Sequence, residues 1–224
     1  TGGISGGVGN NVQIHSVGYP SFSYFVFEQV YDAAGVPIEG LYVDRNGDGT
    51  VTPDDMYRYK KAAPDATFGF YTGVNLGNFD LSLGARAMVG NYVYNNNLAS
   101  QGVYDFVYNS SGGSGGGYLN NVDSQTEALD INTPRYFSDH YVQDGSFLRI
   151  DHITAGYDFG NIGSAISSFR LSITAQNPLL ITGYDGIDPE IASRDVTTNS
   201  VGFGIDNNIY PRSRTFLLGL NVKF

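Results

Sequence analysis

The feature that most constrains this chain is the alternation in its last ten residues. In Thr215–Phe224, the side chains of Phe216, Leu218, Leu220, Val222 and Phe224 fall on one parity. Those of Thr215, Leu217, Gly219, Asn221 and Lys223 fall on the other. Successive side chains of an extended chain point to opposite faces, so this is a strand with one wholly apolar face. Three further stretches repeat the pattern. Phe68, Phe70, Thr72, Val74 and Leu76 form one row, Phe79, Leu81, Leu83, Ala85, Ala87 and Val89 a second, and Phe169, Leu171, Ile173 and Ala175 a third. Charge is missing from each of these rows, whereas Asp80, Arg86 and Arg170 stand on the opposite parity. A soluble sandwich also alternates. An uncharged row backed by a small and polar one suits a strand between lipid and a wet lumen. Parity changes within 147–159, where Leu148 and Ile150 share one row and Ile153, Ala155, Tyr157 and Phe159 the other. A bulge near Asp151-His152 would return them to a single face.

The connections between these strands set the topology. Gly77-Asn78 alone separates Leu76 from Phe79, which predicts a tight hairpin. The link Gly160–Ser167 is also short. The links near 32–65, 92–145 and 178–212 are long and rich in Gly, Asn, Asp, Ser and Pro. Alternating short and long connections predict an all-β, antiparallel transmembrane β-barrel with tight turns on one side and long extracellular loops on the other. With Phe22–Tyr31 and Val8–Val17 read as further strands, about six or seven are expected, too few to close a wide barrel alone. Only 15% of residues are charged, well below the roughly one quarter usual in soluble domains, so part of the surface is expected to face something other than water. The sequence has no run of about 18 apolar residues, so a helical span is not expected. No secretory leader opens Thr1-Gly2-Gly3-Ile4.

Chemistry-bearing motifs are few. A net charge of −10 argues against nucleic acid as a partner, since phosphate contacts need clustered Lys and Arg. With no Cys and three His, neither disulfides nor a thiolate metal site is expected. Asp44-Arg45-Asn46-Gly47-Asp48-Gly49-Thr50 follows the calcium-loop pattern closely. Asp44, Asn46 and Asp48 hold positions 1, 3 and 5, Gly49 allows the sharp turn at position 6, Thr50 offers its carbonyl at 7, and Asp55 stands at 12 in place of the usual Glu. A structural Ca2+ held by these five residues is expected; a metal-free Asn-Gly-Asp-Gly turn is the alternative. Leu41-Tyr42-Val43 ahead of the loop looks extended, and only Pro53–Lys61 after it offers a helix.

Catalysis is not expected. His15, His140 and His152 lack a Ser or Cys partner at a recognisable spacing. Asp185, Asp188 and Glu190 are explained by a Gly-Asp-Pro turn more simply than by a carboxylate pair. Gly2–Gly9 lacks the Gly-Lys-Ser/Thr of a phosphate loop, and 110–118 (SSGGSGGGY) reads as a flexible loop tip. Tyr92, Tyr94, Tyr104 and Tyr108 either ring the lipid interface or serve as contacts in the loops.

Taken together, 35–55 (GVPIEGLYVDRNGDGTVTPDD), 141–157 (YVQDGSFLRIDHITAGY), 177–190 (NPLLITGYDGIDPE) and the ending from Tyr210-Pro211-Arg212 to Phe224 resemble the C-terminal region of SusC/RagA-type TonB-dependent outer-membrane transporters. The resemblance implies the closing strands of a 22-stranded barrel in the Gram-negative outer membrane. It also implies that the plug, TonB box and remaining strands lie outside these 224 residues. The partners it implies are a SusD-type surface lipoprotein, the TonB complex and an oligosaccharide or peptide cargo. Phe224 would be the terminal aromatic of the barrel-assembly signal. Arg86 and Arg170 would pair with carboxylates in the lumen or contact the plug. The rival to this import function is a secreted, soluble, calcium-dependent β-sandwich adhesin or carbohydrate-binding module.

Overall fold

The computed structural model describes residues 12–109, 117–194, 201–207 and 209–224. The Gly2–Gly9 segment, the start of the expected strand Val8–Val17 and most of the glycine tract at 110–118 lie outside the described residues. The chain divides into two compact units, one of Asp65–Val89, Ser146–Gly183 and Pro211–Phe224, the other of Thr1–Pro64, Gly90–Gly145 and Tyr184–Tyr210.

The first unit is a twisted wall of five antiparallel strands: β1 (Ala66–Leu76), β2 (Phe79–Val89), β3 (Phe147–Asp158), β4 (Ser168–Thr182) and β5 (Thr215–Lys223), each paired with the next. Strands of 9 to 15 residues are long enough to cross a bilayer at a barrel's tilt. Leu76 pairs with Phe79 around Gly77-Asn78, and Gly77 has a φ of +61° while Asn78 has none above zero, the pattern of a type II′ hairpin.

The expected bulge is present. Ile150 and His152 of β3 pair with the adjacent residues Ala85 and Gly84 of β2, leaving Asp151 as the extra residue. Its insertion puts Leu148, Ile150, Ile153, Ala155 and Tyr157 on one face. A second irregularity was not anticipated. Between Leu179 and Gln176 of β4, Asn177 takes a left-handed φ of +50° beside Pro178, opposite that same bulge. Pro178 has no N–H to donate and is tolerated at a ladder interruption. The strand therefore runs on to Thr182 instead of giving way to a loop near 178.

The apolar row of each strand is exposed. Phe216 is 74% accessible, Leu218 75% and Leu220 62%, and Phe68, Phe70, Leu76, Ile173 and Ile181 continue the same face. No second sheet covers them among the described residues. The other face carries ion pairs. Arg170 donates to Asp80 through Nε at 3.1 Å and Nη2 at 2.6 Å, passing over Gly156, where a Cβ would lie 2.3 Å from the guanidinium. Arg86 meets Asp151 at 3.1 Å. Arg86 and Arg149 stand directly opposite each other across β2 and β3. Like charges so placed are destabilising, and the bulged Asp151 supplies the offsetting carboxylate.

The second unit differs from the expected run of simple loops. Phe22–Tyr31 does not join the wall; it splits into Ser23–Val26 and Gln29–Tyr31 in separate small sheets. This is why five wall strands are seen among the described residues where six or seven were expected. Three stretches of chain meet at the strand Tyr92–Asn95, which pairs antiparallel with Val142–Asp144 and parallel with Ile205–Asp206. Its core packs Val12, Tyr24, Tyr94, Leu98, Tyr141 and Ile205, all at most 2% exposed. The Tyr24 hydroxyl donates to the carbonyls of Tyr92 (2.8 Å) and Gly204 (2.6 Å), and Tyr94 donates to the carbonyl of Tyr136. Buried phenols satisfied this way bring their ring area into the core without an orphaned polar group. Gly204 has a φ of +76°, and a Cβ there would meet the Tyr24 oxygen at 2.6 Å, so the chain passes only without a side chain.

Candidate functional site

The acidic loop lies between the strands Pro37–Tyr42 and Tyr57–Lys61. The helix anticipated after it is one 3-10 turn, Pro53–Asp55, capped by Thr52, whose hydroxyl accepts from Asp54 N at 3.3 Å. All five nominated ligands fall on one winding of chain. Asp44 accepts from the N–H groups of Gly47 and Gly49, both at 2.7 Å, Asn46 from that of Asp48 at 2.8 Å, and Asp48 from that of Thr50 at 2.9 Å. Gly49 has a φ of +86°, the conformation that position needs.

Asp55 is fully buried and closes the winding, accepting from Thr52 N (2.8 Å), Arg45 N (2.9 Å) and Asn46 N (3.2 Å). The Thr52 N–H above all, then those of Asn46 and Arg45 with the Asp44 side chain alongside, hold its carboxyl below the ordinary Asp range, although burial opposes this. Arg45 ties the loop to its surroundings through an ion pair with Glu28 and by lying 4.3 Å over the Tyr57 ring. Among the described residues no three His, Cys, Asp or Glu side chains are drawn into one metal cluster. The loop carboxylates instead turn onto their own backbone. Each carboxylate oxygen has two lone pairs, so an oxygen that accepts an N–H can still face a cation. The donor set is all oxygen, which fits a hard divalent ion.

The remaining candidates separate. His15 packs edge-on against Phe22, His140 accepts or donates through Nδ1 to the Tyr31 hydroxyl at 3.1 Å, and His152 lies against Gly84 in the wall. Asp188 accepts from Glu190 N at 2.9 Å, as a turn residue would. Of the four tyrosines, Tyr94 is core, while Tyr104 and Tyr108 are exposed on the second unit. Arg86 and Arg170 are both ion-paired in the wall. Not anticipated was a cleft of about 560 Å3 on the polar face of the wall, where the two bulges meet, lined by Arg149, His152, Gln176, Asn177, Arg212 and Thr215. Asn177 joins its sides, accepting from Arg149 Nη1 (2.8 Å) and donating to the Arg212 carbonyl (3.1 Å). The parity of Arg149 was its one signal in the sequence.

Over 99% of its length the chain is 41% identical to the TonB-dependent receptor SusC of Bacteroides thetaiotaomicron. This chain belongs to the SusC/RagA-type TonB-dependent receptors. A TonB-dependent receptor of Formosa agariphila is 30% identical over 82% of the chain. No protein-family model matches the sequence. Solved structures of the RagAB peptide transporter, and of the RagAB peptide importer in its closed-closed state, superpose with TM-scores of 0.67 and 0.65 over 97% of the chain at 23% identity. They share its fold, an outer-membrane β-barrel, of which the five-stranded wall is a segment. The chain spans about a fifth of the length of the curated relatives it matches (21% of SusC) and 24% of the RagAB chain. A SusC/RagA-type wall accounts for the exposed Phe216, Leu218 and Leu220, because in a bilayer that face is covered by hydrocarbon. A soluble sandwich would instead bury that face under a second sheet, and none covers it among the described residues.

Proposed function

We propose that this chain supplies lumen wall and external loops to an importer, itself not an enzyme, that takes oligomeric nutrients, glycans or peptides, across the outer membrane. Energy comes through TonB, and a SusD-type surface lipoprotein is the partner. The observation that carries the reading is the two-faced wall, uncharged toward the outside and ion-paired toward the inside, which suits a strand separating lipid from a polar passage. Kinship to SusC and the RagAB fold support it. The test is uptake of labelled oligosaccharides and labelled peptides by cells carrying the full-length receptor, with and without TonB. TonB-dependent accumulation of one class is expected; uptake indifferent to both the receptor and TonB would remove the proposal.

Within that function the acidic loop is a structural Ca2+ site, with Asp44, Asn46, Asp48 and Asp55 giving side-chain oxygens and Thr50 its carbonyl. In the calcium-bearing outer medium a cation there would pin an external loop. Terbium luminescence, sensitised by nearby tyrosines such as Tyr57, reads the site directly on the full-length receptor. Emission should fall on adding Ca2+ and should be largely lost in Asp44→Ala/Asp48→Ala. Emission that survives the double substitution would rule the loop out.

A further inference from the structure

One sheet of the second unit runs against the charge of the chain. Its strands are Gln13–Ile14, Ser23–Val26 and Tyr57–Lys61, with Ser23–Val26 in the middle. None of the chain's 22 Asp and Glu falls within 12–27 or 56–64, whereas Arg58, Lys60 and Lys61 are three of its 12 Lys and Arg. A chain of net charge −10 thus carries a sheet whose own residues include cations and no carboxylate. The flanking carboxylates are engaged elsewhere, Glu28 with Arg45 and Asp55 with the amides of the acidic loop. Asp139 reaches the sheet from another segment but accepts from the Tyr57 hydroxyl at 2.7 Å, on the row opposite to Arg58 and Lys60.

Aromatic rings hold the two cations in place. The Arg58 guanidinium lies 4.2 Å over the Tyr19 ring, and its Nη2 donates to Ser16 Oγ at 2.7 Å. Lys60 Nζ lies 4.9 Å from the centre of the Tyr92 ring and 5.3 Å from that of Tyr59. A ring orients a cation without neutralising it. The bond to Ser16 takes one of five guanidinium N–H donors, which leaves a fork suited to phosphate oxygens. Beside Arg58 the chain turns at Ser16–Tyr19, closed by Tyr19 N donating to the Ser16 carbonyl at 3.3 Å, and Val17 at its corner is fully exposed.

The chain delivers these residues straight from the wall. Ala66 and Val89 pair at the rim opposite the tight turn Gly77-Asn78, the rim from which the long extracellular connections leave. Lys60 stands six residues before Ala66 and Tyr92 three after Val89, and the two side chains meet. The Ser16–Tyr19 turn projects from the same end of its sheet as the exit toward Ala66, since Ser23 pairs with Lys61 and Ala62 N donates to the Phe22 carbonyl at 3.2 Å. Rings and cations that follow directly on lipid-facing strands are the side chains that suit a headgroup layer, where phenols sit at the interface and Lys and Arg meet phosphate.

We propose that Arg58 and Lys60, held by Tyr19, Tyr59 and Tyr92, seat the phosphate groups of an anionic lipid of the outer leaflet, with Val17 turned to its acyl region. The assignment rests on the membrane setting of the wall and is independent of what the receptor imports.

The test is native mass spectrometry of the purified full-length receptor titrated with diphosphoryl lipid A, with the same lipid stripped of its phosphates, and with inorganic phosphate. The phosphorylated lipid should bind at least about tenfold more tightly than the stripped one, and more weakly as salt rises. At roughly fivefold per cation, Arg58→Gln/Lys60→Gln should lose about tenfold or more, whereas Lys223→Gln, at the far end of β5, should bind as the parent does. Val17→Asp sets a like charge beside the phosphates at a fully exposed position and should weaken binding severalfold, which decides the matter if the double variant misfolds. Equal binding of the two lipids, or parent-like binding by both the double variant and Val17→Asp, would overturn the proposal. Inorganic phosphate binding as tightly as the lipid would make the patch a free-anion site, and would overturn it too. Variants that lose a surface lipoprotein while keeping the lipid would give the patch to a protein partner instead, against the proposal.

Discussion

Leu218 and Leu220 in the wall are largely exposed, whereas Tyr24, Tyr94 and Leu98 in the second unit are sealed from solvent. The same residue classes therefore lie on opposite sides of their elements. In the wall the strands keep apolar side chains outside and place Asp80, Arg86, Asp151 and Arg170 on the other face. In the second unit, the apolar and aromatic side chains turn inward and their hydroxyls find carbonyls. One chain thus uses two solvents, hydrocarbon for the wall and water for the second unit, and each sets its own penalty for substitution.

The largest effect is expected in the water-facing unit. Tyr24→Ala removes a buried ring and both carbonyl contacts of its hydroxyl, and by comparison with other aromatic truncations it should cost about 3–5 kcal/mol. Hydrogen exchange on the full-length receptor locates the loss. Amides of Tyr92–Asn95 and Val142–Asp144 should exchange faster while those of β2 and β3 do not change. Equal acceleration in the wall would mean that the two units unfold as one, and the contrast drawn above would have no energetic meaning.

The next effect belongs to the wall. Leu220→Arg puts a charge on the lipid-facing row near the middle of β5 and should cost about 2–4 kcal/mol by unfolding in bilayers. Leu217→Gln, on the opposite row three residues away, should cost under about 1 kcal/mol, in keeping with substitutions that bury no charge and open no cavity. If the two costs came out equal, the rows would not face different solvents.

How much of this could be read beforehand followed from the range of the interactions. Period two is local, so the wall strands, their apolar rows and the bulge at Asp151 were legible in stretches such as Phe216–Phe224 and Leu148–Tyr157. The loop Asp44–Asp55 was legible for the same reason, since its hydrogen bonds close within twelve consecutive residues. Asn177-Pro178 misled because Pro in a polar context signals a turn, and only the neighbouring strand reveals that it sits in a bulge. Phe22–Tyr31 misled because alternation does not say which sheet a strand joins. The bond from Tyr24 to the Gly204 carbonyl spans 180 positions. Nothing local to either residue announces it, and the second unit as a whole is assembled from three separate segments of the chain.

The smallest effect tests a joint between two of those segments, and it depends on pH. Glu39 accepts from Asn132 N and Nδ2 (both 3.0 Å), Thr133 N (3.1 Å) and Oγ1 (2.7 Å), and Arg135 Nη2 (3.2 Å). Burial alone would raise its carboxyl, but the bonds from Thr133 and Asn132 outweigh it and hold the pKa down to about 2, from an ordinary 4.5. Because the folded value lies below the unfolded one, the carboxylate contributes its full stability above about pH 4.5 and loses it as pH falls from there towards 2. Glu39→Gln keeps an acceptor but gives up the charge, and should cost about 1 kcal/mol at pH 7 for a partly solvated site. Hydrogen exchange at Asn132 and Thr133, followed from pH 7 downward with correction for intrinsic rates, should show the gap between parent and variant closing through that window. A gap unchanged down to pH 2 would mean that the carboxylate charge does not hold these two segments together, and that neutral hydrogen bonds suffice.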